Sequence, residues 1–450
     1  MARRIFLFLS VILAFVACSD NDSFTTSPSA RLTFSADTVK MDTIFSTVGS
    51  ATYTFWVYNH AQDGVRLRSV RLRQGNQTGF RVNIDGSYLD NTLGSIVNGL
   101  EVRKGDSLRV FVELTAPENR KQTPQLVEDD LLFLLESGVE QRVHLQGCSW
   151  DALQMRNWVI KSDTVIETDK PIIIYGGLKV DSMATLTIRK TTLYFHDQAG
   201  IDVYGRLITD SVLMRGDRLD HMFDYLPYDR VSGQWKGVFF HSSSFWNELL
   251  NTEIRNAENA VVCDTAAFDD EVQRLYMERC VVHNNKGAGI ETNNAKVGLL
   301  DCQITNSLGD CLAVHGGLVL IEACTIAQFY PLSANRGVAL RFSNYRDSIP
   351  YPLEMIQMRN SILTGYADDE LMGSTLENDS VTPFVYYFEN SLLRTPKVED
   401  DTVSFKQIIW ETPKDSVQGK QHFKQIDEYN MIYDFHLDSI STAWGLGCYR

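Results

Sequence analysis

A chain of 450 residues, 44% of them hydrophobic, has enough apolar mass for two or three domains, and its net charge of −15 leaves no basic stripe to neutralise a nucleic-acid backbone. The same acidity disfavours tight binding of polyanionic sugars unless a local basic cleft exists. Neither a CxxC nor an HxxxH spacing occurs, so no metal site is expected.

Met1-Ala2-Arg3-Arg4 precedes an apolar run from Ile5 to Ala17. A charged lead followed by a short apolar stretch has signal-peptide proportions and is too short to span a bilayer stably. The run ends Phe15-Val16-Ala17-Cys18, which resembles a bacterial lipobox. The resemblance implies that residues 1–17 are a lipoprotein signal peptide and that Cys18 is the lipidated residue. Ser19-Asp20-Asn21-Asp22 then resembles the surface-export signal of Bacteroidota-type lipoproteins, and residues 18–30 read as a flexible tether. The expected location is the bacterial cell envelope, as a surface-exposed outer-membrane lipoprotein whose membrane partner is reached through the lipid anchor. An ordinary cleaved signal with an incidental cysteine is the alternative.

Residues 31–147 alternate apolar and polar in short runs such as Thr52–Tyr58 and Ser107–Leu114, punctuated by Asp63-Gly64, Lys104-Gly105-Asp106 and Ser137-Gly138. About seven such runs read as an antiparallel β-sandwich. Phe45 through Thr52 before a strand ending Val57-Tyr58-Asn59, then Val102 through Ser107 and Val112 through Pro117, resemble hydin-type immunoglobulin-like domains. In those the module is a spacer or an interaction surface.

From Trp158 the runs shorten. Cys280, Cys302 and Cys324 lie 22 residues apart, each two residues before a β-branched aliphatic (Val282, Ile304, Ile326), and Met277, Leu299 and Ile321 keep the same beat. A period of this size without helical patterning marks a β-solenoid. Thr191–Phe195 followed by Gly200–Ile208 resembles the opening coil of right-handed parallel β-helix proteins. Residues 158–374 are therefore expected to form a right-handed parallel β-helix of three strands per coil, with residues 375–450 as C-terminal coils and cap. Three strand positions align by hand. One holds 252–254, 280–282, 302–304, 324–326 and 360–362. The next holds 261–263, 289–291, 311–313 and 338–340. The third carries Met277, Leu299 and Ile321. Excess length at Asp264–Val272, Gln328–Arg336 and Ser343–Pro352 reads as loops hung on a regular coil, where such folds place function. The three cysteines read as buried thiols that pack like small apolar groups, because stacking suits a disulfide poorly.

Three places are candidates for chemistry. Gly309-Asp310-Cys311-Leu312-Ala313 resembles the Asp-Asp-Cys segment of the polygalacturonase family, which implies Asp310 as acid or base, with Glu291-Thr292-Asn293 a loose echo one coil earlier. Gly309 stands in place of the first aspartate, and a lone carboxylate cannot run an inverting hydrolysis. The bland reading is a Gly-Asp corner. Second, Asp264, Asn293, Asn294, His315 and Asn344 should stack along one edge. His315 there is a weak candidate for a base, and the asparagines are candidates for a ligand or for an internal hydrogen-bonded ladder. Third, the acidic-aromatic stretch from Arg215 to Asp229 and on to Trp235 is too long for a coil. Asp217, Asp220, Asp224, Tyr225, Tyr228 and Trp235 suit sugar binding by stacking and hydrogen bonds. Asp217, Asp220, Asp224 and Asp229 are an alternative calcium set, and a flap anchored by its aromatics is the bland reading. The stretch from Arg215 through Tyr228 to Trp235-Lys236-Gly237 also resembles Bacteroidota-type surface lipoproteins with a β-helix, a largely uncharacterised family, over nearly the whole mature chain.

The chain thus reads as all-β, an immunoglobulin-like sandwich followed by the β-helix. The leading functional expectation is a non-catalytic surface module that binds glycan or protein along the solenoid. A polysaccharide hydrolase or lyase using Asp310, and a purely structural envelope protein, are the alternatives. No cofactor is expected.

Overall fold

The computed structural model describes residues 23–223 and 225–449; the signal-peptide segment, Cys18 and Asp224 lie outside them. The chain forms two compact units that divide between Asp151 and Ala152.

In the first unit, strand alternation does what the sequence pattern demands. In Ser107–Leu114, Val110, Val112 and Leu114 point into the core while Arg109 and Glu113 point out. One sheet joins Gly64–Leu72, Gln125–Leu135, Glu140–Trp150, Ile96–Val102 and Thr38–Phe45; the other joins Tyr53–Tyr58, Ser107–Leu114 and Phe80–Ile84 with shorter strands. Phe55, Val57, Leu67, Phe80 and Phe133 fill the space between. The sandwich is not wholly antiparallel. Thr38–Phe45 runs parallel to Glu140–Trp150, and Phe24–Thr25 runs parallel to Gly64–Leu72. Both are lead-in strands joined to their neighbours by long connections, which free a strand from the direction that a hairpin imposes.

The second unit is a parallel β-helix in which short strands stack into three ladders. Ladder A runs through Leu249, Met277, Leu299, Ile321, Met358 and Phe388. Ladder B runs through Ile254, Val282, Ile304, Ile326, Leu363 and Leu393. Ladder C runs through Val261, Ile290, Leu312, Leu340 and Leu371. These side chains all point inward into one continuous core. Each buried aliphatic contributes roughly 1.5–3 kcal/mol by removal from water.

The 22-residue beat comes from the corner between ladders A and B. One residue per coil there is left-handed: Asn251 (φ 46°), Arg279 (51°), Asp301 (51°), Ala323 (53°), Asn360 (53°) and Asn390 (44°). The next residue turns a hydroxyl or thiol back onto the carbonyl two positions earlier. Thr252 donates to Leu250 O at 2.8 Å, Cys280 to Glu278 O at 3.4 Å, Cys302 to Leu300 O at 3.3 Å, Cys324 to Glu322 O at 3.3 Å, Ser361 to Arg359 O at 2.6 Å and Ser391 to Glu389 O at 2.8 Å. The cysteines are buried and free, as expected, but they also serve as donors that satisfy a corner carbonyl. Burial pushes the Cys280 and Cys302 thiols well above their ordinary value.

Two hand alignments shift by one residue. Ser361, not Asn360, takes the seat of Cys324, so Ile362 pairs with Thr325 and Leu363 with Ile326. The seat needs a donor, and asparagine is the better left-handed residue before it. In ladder C, Val261 pairs with Ile290 rather than Gly289, and Leu312 with Leu340 rather than Ala339. A one-residue slip would turn each inner aliphatic outward.

Residues Phe384–Glu389, Leu392–Arg394, Phe405–Lys406 and Ile409–Glu411 extend ladders A and B. The C-terminal segment, with the hairpin Phe423–Asp427 and Ile432–Leu437, then closes over the outer face of ladder B. Phe423, Phe435, Leu437, Ala443 and Leu446 pack there against Phe329, Ile362 and Leu392. Among the described residues no helix is long and apolar enough to cross a membrane.

Candidate functional site

Ladder C keeps its outer face open, and a groove of about 440 Å³ lies on it. Strand register builds the groove. Glu291, Ala313 and Arg341 pair along its floor, and His315, Ser343 and Ser374 form the next row. The corner before the ladder supplies Asn259, Ala288 and Gly309-Asp310. The opposite wall is a hairpin, Tyr345–Arg346 with Ile349–Pro350, inside the insertion that the sequence marks at Ser343–Pro352. Its two-residue turn, Asp347-Ser348, has φ of 49° and 65°, the twist that a tight hairpin needs.

The carboxylates in the groove are committed to guanidinium partners. Asp310 accepts from Arg341 Nε at 2.7 Å (Oδ2), from Arg341 Nη2 at 3.2 Å (Oδ1) and from the Val338 N–H at 2.8 Å (Oδ1). Glu291 lies 2.7 Å from Arg346 Nη1, and Arg346 Nε lies 3.6 Å from the exposed Asp347. Asp310 thus serves as a corner lock in this arrangement. The missing first aspartate has a steric cause as well: a Cβ at Gly309 would come within 2.7 Å of the Gly287 backbone on the previous coil.

His315 places Nδ1 2.9 Å from Ser343 Oγ, and that hydroxyl donates to Tyr345 O at 2.6 Å. With its one hydrogen spent, the serine can only accept from the ring, so Nδ1 carries the proton and Nε2 keeps its lone pair. Burial holds His315 below the ordinary imidazole value, partly offset by Glu291. The ring is therefore neutral at pH 7, and Nε2 is a hydrogen-bond acceptor. Together the residues offer fixed donors and acceptors along a strip of four rungs, about 14 Å from first to last at ~4.8 Å per step.

The structure thus brings Asp310, Glu291 and His315 into one site, and adds Arg341, Arg346 and Tyr345. Asn293 and Asn294 work at the corner instead. Asn293 is buried and donates to Cys263 O at 3.0 Å, while Asn294, left-handed at φ 46°, donates to Ala266 O at 3.0 Å and pins the 264–272 loop. The acidic-aromatic stretch forms a separate covering flap. Asp217 is buried against His196 at 2.7 Å, and Asp220 accepts both Arg218 nitrogens, at 2.8 and 2.5 Å. Tyr228 lies under the Arg218 guanidinium, 4.3 Å from its ring centre, and Asp229 pairs with Arg215 at 2.6 Å. Trp235 is fully buried, stacked 4.2 Å from Phe195, with its indole N–H on Arg255 O. Tyr225 alone of these is strongly exposed, stacked with Phe223 near the tip of the flap hairpin. Among the described residues no group of three or more potential metal ligands comes together.

No family model matches the chain, and neither does any curated protein. Among solved structures, the catalytic unit of a GH87 α-1,3-glucanase from Streptomyces thermodiastaticus is 8% identical and overlaps 80% of this chain and 89% of its own, at a TM-score of 0.29. A PapD-like domain of human CEP192 is 14% identical over 28% of this chain and 91% of its own, at a TM-score of 0.19. A family 123 glycoside hydrolase from Clostridium perfringens is 8% identical over 30% of each chain, at a TM-score of 0.21. At these scores the matches assign neither a fold nor a residue role to this chain. Its architecture rests on its own strand pairing.

Proposed function

We propose that the protein is a non-catalytic glycan-binding module whose ligand lies in the ladder C groove, carried on the cell envelope through Cys18. The observation that carries the binding reading is the groove itself: an open strip lined by charged pairs, a neutral imidazole and serine hydroxyls, all fixed by strand register. Hydroxyl-rich chains are recognised by such arrays of oriented donors and acceptors. The non-catalytic reading is supported by the commitment of Asp310 and Glu291 to guanidinium partners, since glycoside hydrolysis needs one carboxyl to give a proton and another to activate water. The envelope reading is supported by Phe15-Val16-Ala17-Cys18 and its charged lead.

A glycan array with the chain from Ser19 onward, followed by a reducing-sugar assay on the hits, tests the first part. Binding that Arg341→Ala abolishes, without release of reducing ends, is the expected result. Reducing ends released by the wild type and lost in Asp310→Ala would overturn the non-catalytic reading in favour of a hydrolase. For the second part, Cys18→Ala should move the protein from the membrane to the soluble fraction.

A further inference from the structure

We infer that the groove takes an uncharged, hydroxyl-rich glycan and rejects uronate-containing or sulfated ones; this deepens the glycan reading above and rests on it. The inference comes from how charge is arranged in the groove. Both guanidiniums are already paired with carboxylates of the groove, Arg341 with Asp310 and Arg346 with Glu291 and Asp347. Three carboxylates against two guanidiniums leave the lining one negative charge in excess.

An anionic sugar would either crowd its own charge against the paired carboxylates of the groove or displace one of them from its arginine and leave it unpaired. Like charges brought together at a binding surface repel and weaken the complex. His315 gives no help, because its Nδ1 proton is held by Ser343 and burial keeps the ring neutral. The chain as a whole, at −15, repels a polyanion before it arrives.

The same pairs suit a neutral sugar. A guanidinium in an ion pair still offers N–H groups beyond those its carboxylate occupies, and the carboxylate still has lone pairs. Vicinal hydroxyls, each both donor and acceptor, can bridge the two without breaking the pair. The strip of about 14 Å runs across the strands, so the ligand is an extended chain lying along the solenoid axis.

The test measures binding of the wild type to immobilised neutral polysaccharides (galactomannan, xylan, dextran, mixed-linkage glucan) and to polygalacturonate, alginate and chondroitin sulfate. The expected result is a hit among the neutral polymers, with affinity unchanged within about twofold from about 0.05 to about 0.5 M salt. Acidic polymers should bind about tenfold more weakly or not at all. Glu291→Gln, which removes the nearer of the two carboxylates paired with Arg346, should raise polygalacturonate binding about tenfold relative to the binding of the neutral hit. Salt-sensitive binding of the acidic polymers in preference to the neutral ones would overturn this inference and leave the glycan reading standing. Binding to neither class would overturn both. The salt series on the wild type decides the matter even if Glu291→Gln proves unstable.

Discussion

Ladder B and ladder C are built from the same coils, yet their outer faces meet opposite fates. Ladder B is roofed by the C-terminal segment, with Phe423, Phe435 and Leu437 turning that flank into a second apolar core. Ladder C is left open and carries ion pairs, a histidine and serines on its outer face. The difference shows how a solenoid divides labour. One flank is spent on cohesion, which rewards repetition; the other is free to depart from repetition, and the departures make the groove.

Four experiments can break or sharpen this contrast, beginning with the largest effect. Ile304→Asp puts a charge on a central inner rung of ladder B and should cost on the order of 5 kcal/mol in urea unfolding, while Leu393→Asp, nearer the end of the ladder, should cost less. Equal costs would mean that the coils do not act cooperatively. Phe435→Ala removes the centre of the roof and should cost about 4 kcal/mol, with glycan affinity unchanged. A loss of binding at unchanged stability would show that the two flanks are not separate.

Glu370 supplies the third. It replaces an inward Cys311 or Ala339 one coil further on, and burial pushes its carboxyl up to about 8 although the Ala339 and Ala367 N–H groups pull it down. A folded value above the unfolded one favours folding at low pH. Its contribution should be full below about pH 4.5 and fall away as pH rises towards 8, by on the order of 3 kcal/mol. Glu370→Met should flatten that part of the pH profile; an unchanged slope would exonerate the residue. The smallest effect is expected from Cys302→Ser, which keeps a donor in the corner seat and should shift stability by only about 1 kcal/mol, whereas Cys302→Ala leaves the Leu300 carbonyl without it and should cost more.

The fold was legible where a physical requirement repeats. Inner aliphatics such as Met277, Leu299 and Ile321 must fill equivalent space on each coil, and the corner seat must carry a donor, so both leave a period in the chain. Ser361 breaks the cysteine column, because a hydroxyl fills the thiol's seat equally well. The site was legible only in part. Asp310, Glu291 and His315 stood out through a resemblance or as polar corner residues, and the insertion at Ser343–Pro352 pointed to the groove wall. Arg341 and Arg346 did not stand out. An outward guanidinium obeys no period, and Arg341 meets Asp310 across 31 residues of chain. The flap stays open between two readings in the sequence for a related reason: aromatics and carboxylates in a loop have the same composition whether they face a ligand or, like Trp235 and Asp220, face their own protein.

The column of cysteines has a consequence for biogenesis. In an oxidising compartment an unfolded chain would carry Cys280, Cys302 and Cys324 within easy reach of one another, and any bridge between two of them would block the coils from zipping shut. Once stacked, all three sulfurs are buried, and at Cys280 and Cys302 burial also holds the proton on, so oxidants find no thiolate there. In such a compartment folding would be a race between coil closure and disulfide chemistry, and refolding from urea should give a higher yield of folded protein with a reductant present than without.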